Sequence, residues 1–279
     1  MSLDEKPEAA EVSDSDAELL LQAFKSLTGI TIPIQKKTMI MFRLRKRLAE
    51  LGHPSVAEYT AKVRHSLREQ QIFINLLTTN ETSFFRTPRV WTYFREEFLP
   101  QAVKTMQNDT LKVWSAAAST GEEACSIAML CHDLQLRHPS FRYQVLATDV
   151  DTDVLARAES GRFCSRTVDK LRQTNPDLFG RHFKESAGDS FEADQQLLRN
   201  IRFAPHNLME SSNRWPSQHL VFLRNVLIYF REAEQIKILK NLSTIMAPGS
   251  ILILGESESI SALNTPFRFE QPQIYSRAS

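Results

Sequence analysis

The feature that most constrains this chain is a change of texture at residue 111. From there, LKVWSA (111–116) reads as a strand, GEEACSIAMLCHDL (121–134) as a helix, and YQVLATDV (143–150) as a second strand leading into the helix TDVLARAES. IRFAPHNL (201–208) and HLVFLRNV (219–226) read as the third and fourth strands. REAEQIKILKNLSTIMAPG reads as a helix closed by Pro248-Gly249, SILILGES as a further strand and FRFEQPQIYSRA as the last. Strands alternating with helices predict a parallel, doubly wound α/β sheet. The alternation breaks between residues 161 and 200, where an insertion with its own small structure is expected. There is no internal repeat.

The N-terminal part has another texture. Residues 1–16 are polar and acidic and are expected to form a disordered tail. Residues 17–90 carry short helical patterns. Leu19-Leu20, Phe24 and Leu27 make one apolar stripe stopped by Gly29; Ile40, Leu44, Leu48 and Leu51 make another, stopped by Gly52. Val63, Leu67, Ile72 and Leu76 continue the helical spacing, and Thr87-Pro88 resembles an N-cap followed by proline at the first helical position. The boundary to the α/β domain (91–279) is set after residue 90.

The 34 Lys/Arg nearly balance the 33 Asp/Glu, but unevenly, since residues 36–68 hold nine Lys/Arg against two Glu. That asymmetry points to a partner with an acidic surface, nucleic acid or protein. Three cysteines (Cys125, Cys131, Cys164) show no metal-ligand spacing and read as free thiols of a reducing cytoplasm. No metal is expected. No apolar run approaches the roughly 20 residues of a membrane span.

In a doubly wound sheet, ligands sit at the carboxyl ends of the strands where strand order reverses. The first such turn here is SAAASTGEE (115–123), whose small residues allow close backbone approach but lack the glycine-rich pyrophosphate fingerprint. An adenosine-type ligand without phosphates fits better. Asp149, ending the second strand, either holds ribose hydroxyls or caps the next helix. Glu123 and Asp149 suit a cationic sulfonium, and Asn207 and Asn225 fall at strand ends where an amide can bond an adenine or an amino-acid group. NETSFFR (80–86) sets polar residues against two phenyl rings and an arginine. Phe84 and Phe85 read as core, and, compatibly with that, as rings packed between the domains that hold Asn80, Thr82 and Arg86 over the cofactor.

NETSFFR, SAAASTGEE, ATDVDTDVLARAESGRF (147–163), NLME (207–210), RNVLIYF (224–230) and GESES (255–259) occur in that order. Together they resemble the CheR family, chemotaxis-receptor glutamate O-methyltransferases that use S-adenosylmethionine and release S-adenosylhomocysteine. The resemblance implies an all-helical N-terminal domain and a class I methyltransferase sheet with a small inserted β-subdomain, about 183–203. It implies that Asn80, Thr82, Arg86, Glu123, Asp149, Asn207, Leu208, Asn225 and Val226 hold the cofactor, with Arg86 and Tyr229 beside the reacting carboxylate. It further implies that Arg43, Lys46 and Arg47 dock on the acidic cytoplasmic helices of a chemoreceptor. A monomeric cytoplasmic enzyme without nucleic-acid partner or membrane insertion is expected.

Two departures stand out. Ala124-Cys125 follow Gly-Glu-Glu where many members have Pro-Tyr. The insertion has one glycine (Gly188) and the acids Asp189, Glu192 and Asp194, which argues against its binding a receptor's C-terminal pentapeptide. The rival readings are an RNA methyltransferase and a catalytically idle adaptor. The basic stretch lacks the interleaved aromatics that stack bases, and Arg86 and Tyr229 are intact.

Overall fold

Ser13 opens the first helix of the computed structural model, which describes residues 13–106 and 109–279. Its hydroxyl accepts from the Asp16 N–H, and Asp14 and Asp16 occupy the first turn, where the helix dipole favours negative charge. The expected tail (1–16) therefore ends earlier, and the rest of it lies outside the described residues. Helix α1 (Asp14–Thr28) stops at Gly29, whose φ of 76° suits glycine. Helices α2 (Lys37–Glu50), α3 (Val56–His65) and α4 (Leu67–Leu77) complete this unit. They enclose Leu20, Phe24, Ile40, Leu44, Tyr59, Val63, Phe73 and Leu77. The periodicity expected through Leu67 is broken at Ser66, which caps α4 by accepting from Glu69 N–H. Leu67 is left exposed, and Phe73, Ile74 and Leu77 form the buried face instead.

Two compact units divide between Thr78 and Thr79, upstream of the boundary expected after residue 90. The second unit opens with NETSFFR, then α5 (Pro88–Tyr93), a π-helical turn (Phe94–Phe98) and α6 (Leu99–Thr105). Strand β1 (Thr110–Ser115), α7 (Glu122–Arg137), β2 (Arg142–Asp149) and α8 (Thr152–Ser160) follow as the alternation predicts.

The insertion is a three-stranded antiparallel sheet in the order β3 (Arg162–Cys164), β5 (Ser190–Ala193), β4 (Phe183–Ser186). Helices α9 (Ser165–Thr174) and α10 (Pro176–His182) run between β3 and β4, and α11 (Gln195–Leu198) closes it. It starts well before residue 183, and residues 201–203 belong to β6 (Ile201–Pro205) of the main sheet. Strand β7 (Gln218–Leu223), α12 (Glu232–Ser243) and β8 (Met246–Leu254) follow. Pro248-Gly249 thus lie inside β8 and do not end the helix. The terminal segment forms two strands, β9 (Phe267–Gln271) and β10 (Ile274–Arg277).

The main sheet has the order β6-β2-β1-β7-β8-β10-β9. All its neighbours are parallel except β10, antiparallel to both β8 and β9. Trp114 pairs with Leu146 on one side and Val221 on the other and is fully buried, as a central parallel strand requires. Strand order reverses between β1 and β7, so the carboxyl ends of these two strands frame the expected crevice. This is the class I methyltransferase architecture with its inserted β-subdomain, in a chain whose first unit is all helical.

Candidate active site at the carboxyl ends of the strands

The turn after β1 is built for close approach. Ala116 and Ala118 are buried, and a Cβ on Gly121 (φ 95°) would lie 2.8 Å from the Ala158 Cβ. Asp149 ends β2 with its Oδ2 accepting from Ser119 N–H (2.9 Å) and its Oδ1 from Asp151 N–H (3.0 Å). Burial pushes its carboxyl up to about 6, against the opposing pull of these backbone donors. The cap of α8 is Asp151, whose Oδ1 accepts from Asp153 and Val154 N–H. Asp149 is therefore not the helix cap but a buried acceptor at the strand end.

NETSFFR is fastened to these same loops. Asn80 donates from Nδ2 to Asp151 Oδ2 (2.6 Å), and its carbonyl accepts from Ser119 Oγ (2.8 Å). The Phe85 N–H donates to Ser126 Oγ on α7. Phe84 is core, its ring edge-on to Phe163 and Phe183 of the inserted sheet at 5.1 and 5.4 Å; Phe85 packs edge-on against Trp91. These ring partners all belong to the second unit, which agrees with the core reading of both residues. Thr82 and Arg86 are half-buried, and Arg86 Nη1 donates to the Glu81 carbonyl. Thr87 gives no side-chain cap; it holds φ 62° before Pro88.

The loop after β7 supplies a buried charge that sequence reading passed over. Arg224 is 6% exposed; its Nη1 meets Glu123 Oε2 at 2.9 Å and its Nη2 donates to the Arg86 carbonyl at 2.7 Å. That carbonyl also accepts from Trp91 Nε1 (2.8 Å). Glu123 takes Ser115 Oγ on its other oxygen (2.8 Å). One guanidinium therefore ties NETSFFR to the first βα turn. The available signal was an arginine directly after the apolar strand HLVFL, which must find an acid if it is buried.

Glu258, in GESES, was missed in the same way. Its carboxylate accepts from four backbone N–H groups, those of Asn225, Val226, Leu227 and Gly255, at 2.7–2.8 Å. It holds Asn225 at φ 57°, and a Cβ on Gly255 would collide with both residues. Tyr229 lies half-buried in the 3₁₀ turn Leu227–Tyr229 that this anchor fixes. Asn207 accepts from Met209 N–H, next to buried Leu208. Phe85, Thr87, Ser119 and Asn225 all hold positive φ without being glycine, a concentration of strain typical of functional sites.

The residues expected to dock a partner divide differently. Arg43 donates to the Leu77 and Thr78 carbonyls and so caps α4. Arg47 pairs with buried Glu69 and with Glu50. The hydrogen bond to Glu69 raises the Arg47 guanidinium and lowers the Glu69 carboxyl. Among the three, Lys46 alone is fully exposed, beside exposed Arg45 and Phe42, which stack at 5.2 Å.

Residues 80–276 match the family model described as CheR methyltransferase, SAM binding domain, and residues 15–78 match CheR methyltransferase, all-alpha domain. The chain belongs to the CheR methyltransferase family. It is 32% identical over 270 residues to a chemotaxis protein methyltransferase of Escherichia coli, covering 95% of this chain and 91% of that one. Chemotaxis protein methyltransferase 1 of Pseudomonas aeruginosa is 28% identical, covering 95% and 98%. CheR members are methyltransferases dependent on S-adenosylmethionine, and the residues here fit that cofactor. Asp149 meets backbone N–H groups and, once ionised, can accept further hydroxyl donors, while the alanine turn leaves room for a nucleoside. Among the described residues no helix is long and apolar enough to cross a membrane.

Proposed function

We propose that this CheR methyltransferase esterifies glutamate side chains on the cytoplasmic helices of chemoreceptors, acting as a cytoplasmic monomer. The observation that carries the reading is the bridge from Arg224 to both Glu123 and the Arg86 carbonyl. It makes an arginine-bearing segment and a cofactor-type loop one rigid piece. Bound S-adenosylmethionine supplies a sulfonium-activated methyl group. Asp149 would accept its ribose hydroxyls, Asn80 and Thr82 would line it, and Glu123, Asn207-Leu208 and Asn225-Val226 would complete the cradle. The acceptor carboxylate is already ionised at neutral pH, so no general base is needed. Alignment and exclusion of water carry the catalysis, and orientation alone can contribute up to roughly 7–11 kcal/mol. Arg86 holds the acceptor carboxylate by a charge-assisted hydrogen bond, and the Tyr229 hydroxyl steadies it.

Receptor docking falls to the exposed face of α2, Arg45 and Lys46 with Phe42 beneath the Arg45 guanidinium, since Arg43 and Arg47 are engaged within their own unit. The inserted sheet presents Asp189 and a Glu192 that is paired with Arg162, which supports recognition without a pentapeptide tether.

The test is mass spectrometry of receptor cytoplasmic fragments, with RNA in parallel, after incubation with enzyme and cofactor. A base-labile gain of one methyl on glutamate is expected, and Arg86→Ala abolishes it with little loss of cofactor affinity. Methylated RNA, or full turnover by Arg86→Ala, rejects the reading.

A further inference from the structure

Three metal-ligating side chains meet away from the active site. His132 and Asp133 lie on α7, and His182 is the last residue of α10. One ligand atom from each lies within 4.8 Å of the others. We propose that His132, Asp133 and His182 form a binding site for a transition-metal dication of the Zn²⁺ type.

His182 Nε2 lies 3.3 Å from Asp133 Oδ1. That is longer than a good charge-assisted hydrogen bond, about 2.7–2.9 Å. It equals the ligand-to-ligand edge, about 3.3 Å, of a tetrahedron with metal bonds of about 2.0–2.1 Å. His132 stands beside this pair, its ring centroid 5.3 Å from that of His182, and its Nδ1 is buried with no hydrogen-bond partner. An orphaned imidazole nitrogen beside a pre-spaced His–Asp pair is what a third ligand position looks like before closure.

The surroundings fit. Arg181 bonds Asp133 Oδ2 at 2.6 Å and Oδ1 at 3.2 Å, fixing the carboxylate as outer partners of metal ligands do. Asp194, ahead of α11, donates its N–H to the His182 carbonyl and so holds the end of α10 in place. Two imidazoles and one carboxylate favour zinc over magnesium or calcium. His132 and Asp133 are half-exposed, leaving a side open to solvent for entry and for a water ligand. A bound ion would clip α10 to α7, directly before Phe183, which packs on Phe84 of NETSFFR.

The experiment is calorimetric titration of Zn²⁺ alone into the chelator-treated full chain, with Co²⁺ absorption reporting coordination. One ion per chain with a tetrahedral Co²⁺ spectrum and a raised Tm is expected. His132→Gln and His182→Asn should each weaken binding by at least about tenfold. His132 is half-exposed, so that variant keeps the test valid if His182→Asn fails to fold. Cys164→Ser should leave binding unchanged. The proposal is overturned by an absence of saturable binding, by binding that survives His132→Gln, or by binding lost in Cys164→Ser.

Discussion

Two buried ion pairs, one in each unit, make similar contacts and serve different ends. Arg47 meets Glu69 at 2.5 Å in the helical unit, and Arg224 meets Glu123 at 2.9 Å in the methyltransferase unit. The other contacts of Arg47 end on α2 itself, at Glu50. Arg224 instead spends its second donor on the Arg86 carbonyl and lies over Trp91. Contact type and distance do not separate a packing charge from a site charge. What the rest of the side chain reaches does.

Removing one partner of each pair is the most direct way to break this comparison. Arg224→Ala leaves Glu123 buried without its cation and should cost about 3–5 kcal/mol of stability with loss of transfer. Arg224→Lys should restore stability better than turnover, since it keeps the charge but loses the fork to Arg86. Equal recovery of both in denaturation and transfer assays would reduce Arg224 to packing. Arg47→Ala should cost about 3 kcal/mol, read by urea denaturation, with kcat of the folded protein unchanged.

A third, smaller effect is pH dependence at Asp149. Its carboxyl is raised to about 6, so its contribution to apo stability is present below the ordinary carboxylate range and lost as pH rises through 6. Binding hydroxyl donors needs the ionised form. S-adenosylhomocysteine affinity should therefore fall about tenfold per pH unit below 6, and Asp149→Asn should flatten that profile. Smallest in stability is the double change Arg45→Glu with Lys46→Glu, within about 0.5 kcal/mol. It should still reduce receptor methylation and its salt dependence. Unchanged methylation would remove α2 from the docking surface.

The alternation after residue 111 was readable because parallel strands buried on both faces need continuous apolar runs, as Val145 to Ala147 and Leu220 to Leu223 show. Boundaries set by single hydrogen bonds were not. Ser66 splits one apparent helix in two, and Thr87 takes φ 62° where a cap was expected. At the site, Asp149 was legible as an acid ending a strand, but the choice between cap and acceptor waited on Asp151 taking the cap.

By itself the sequence determined the doubly wound sheet, the helical first unit, the family and the positions of its motifs. These follow from periodicity and from residue order, which are local. Only the tertiary structure decided which charges are engaged and with whom. Glu123 finds Arg224 across 101 positions, Arg43 finds the end of α4, and His132 finds His182. A buried charge must be met by whatever the fold brings beside it, and that neighbour is fixed by chain crossings that no local pattern records.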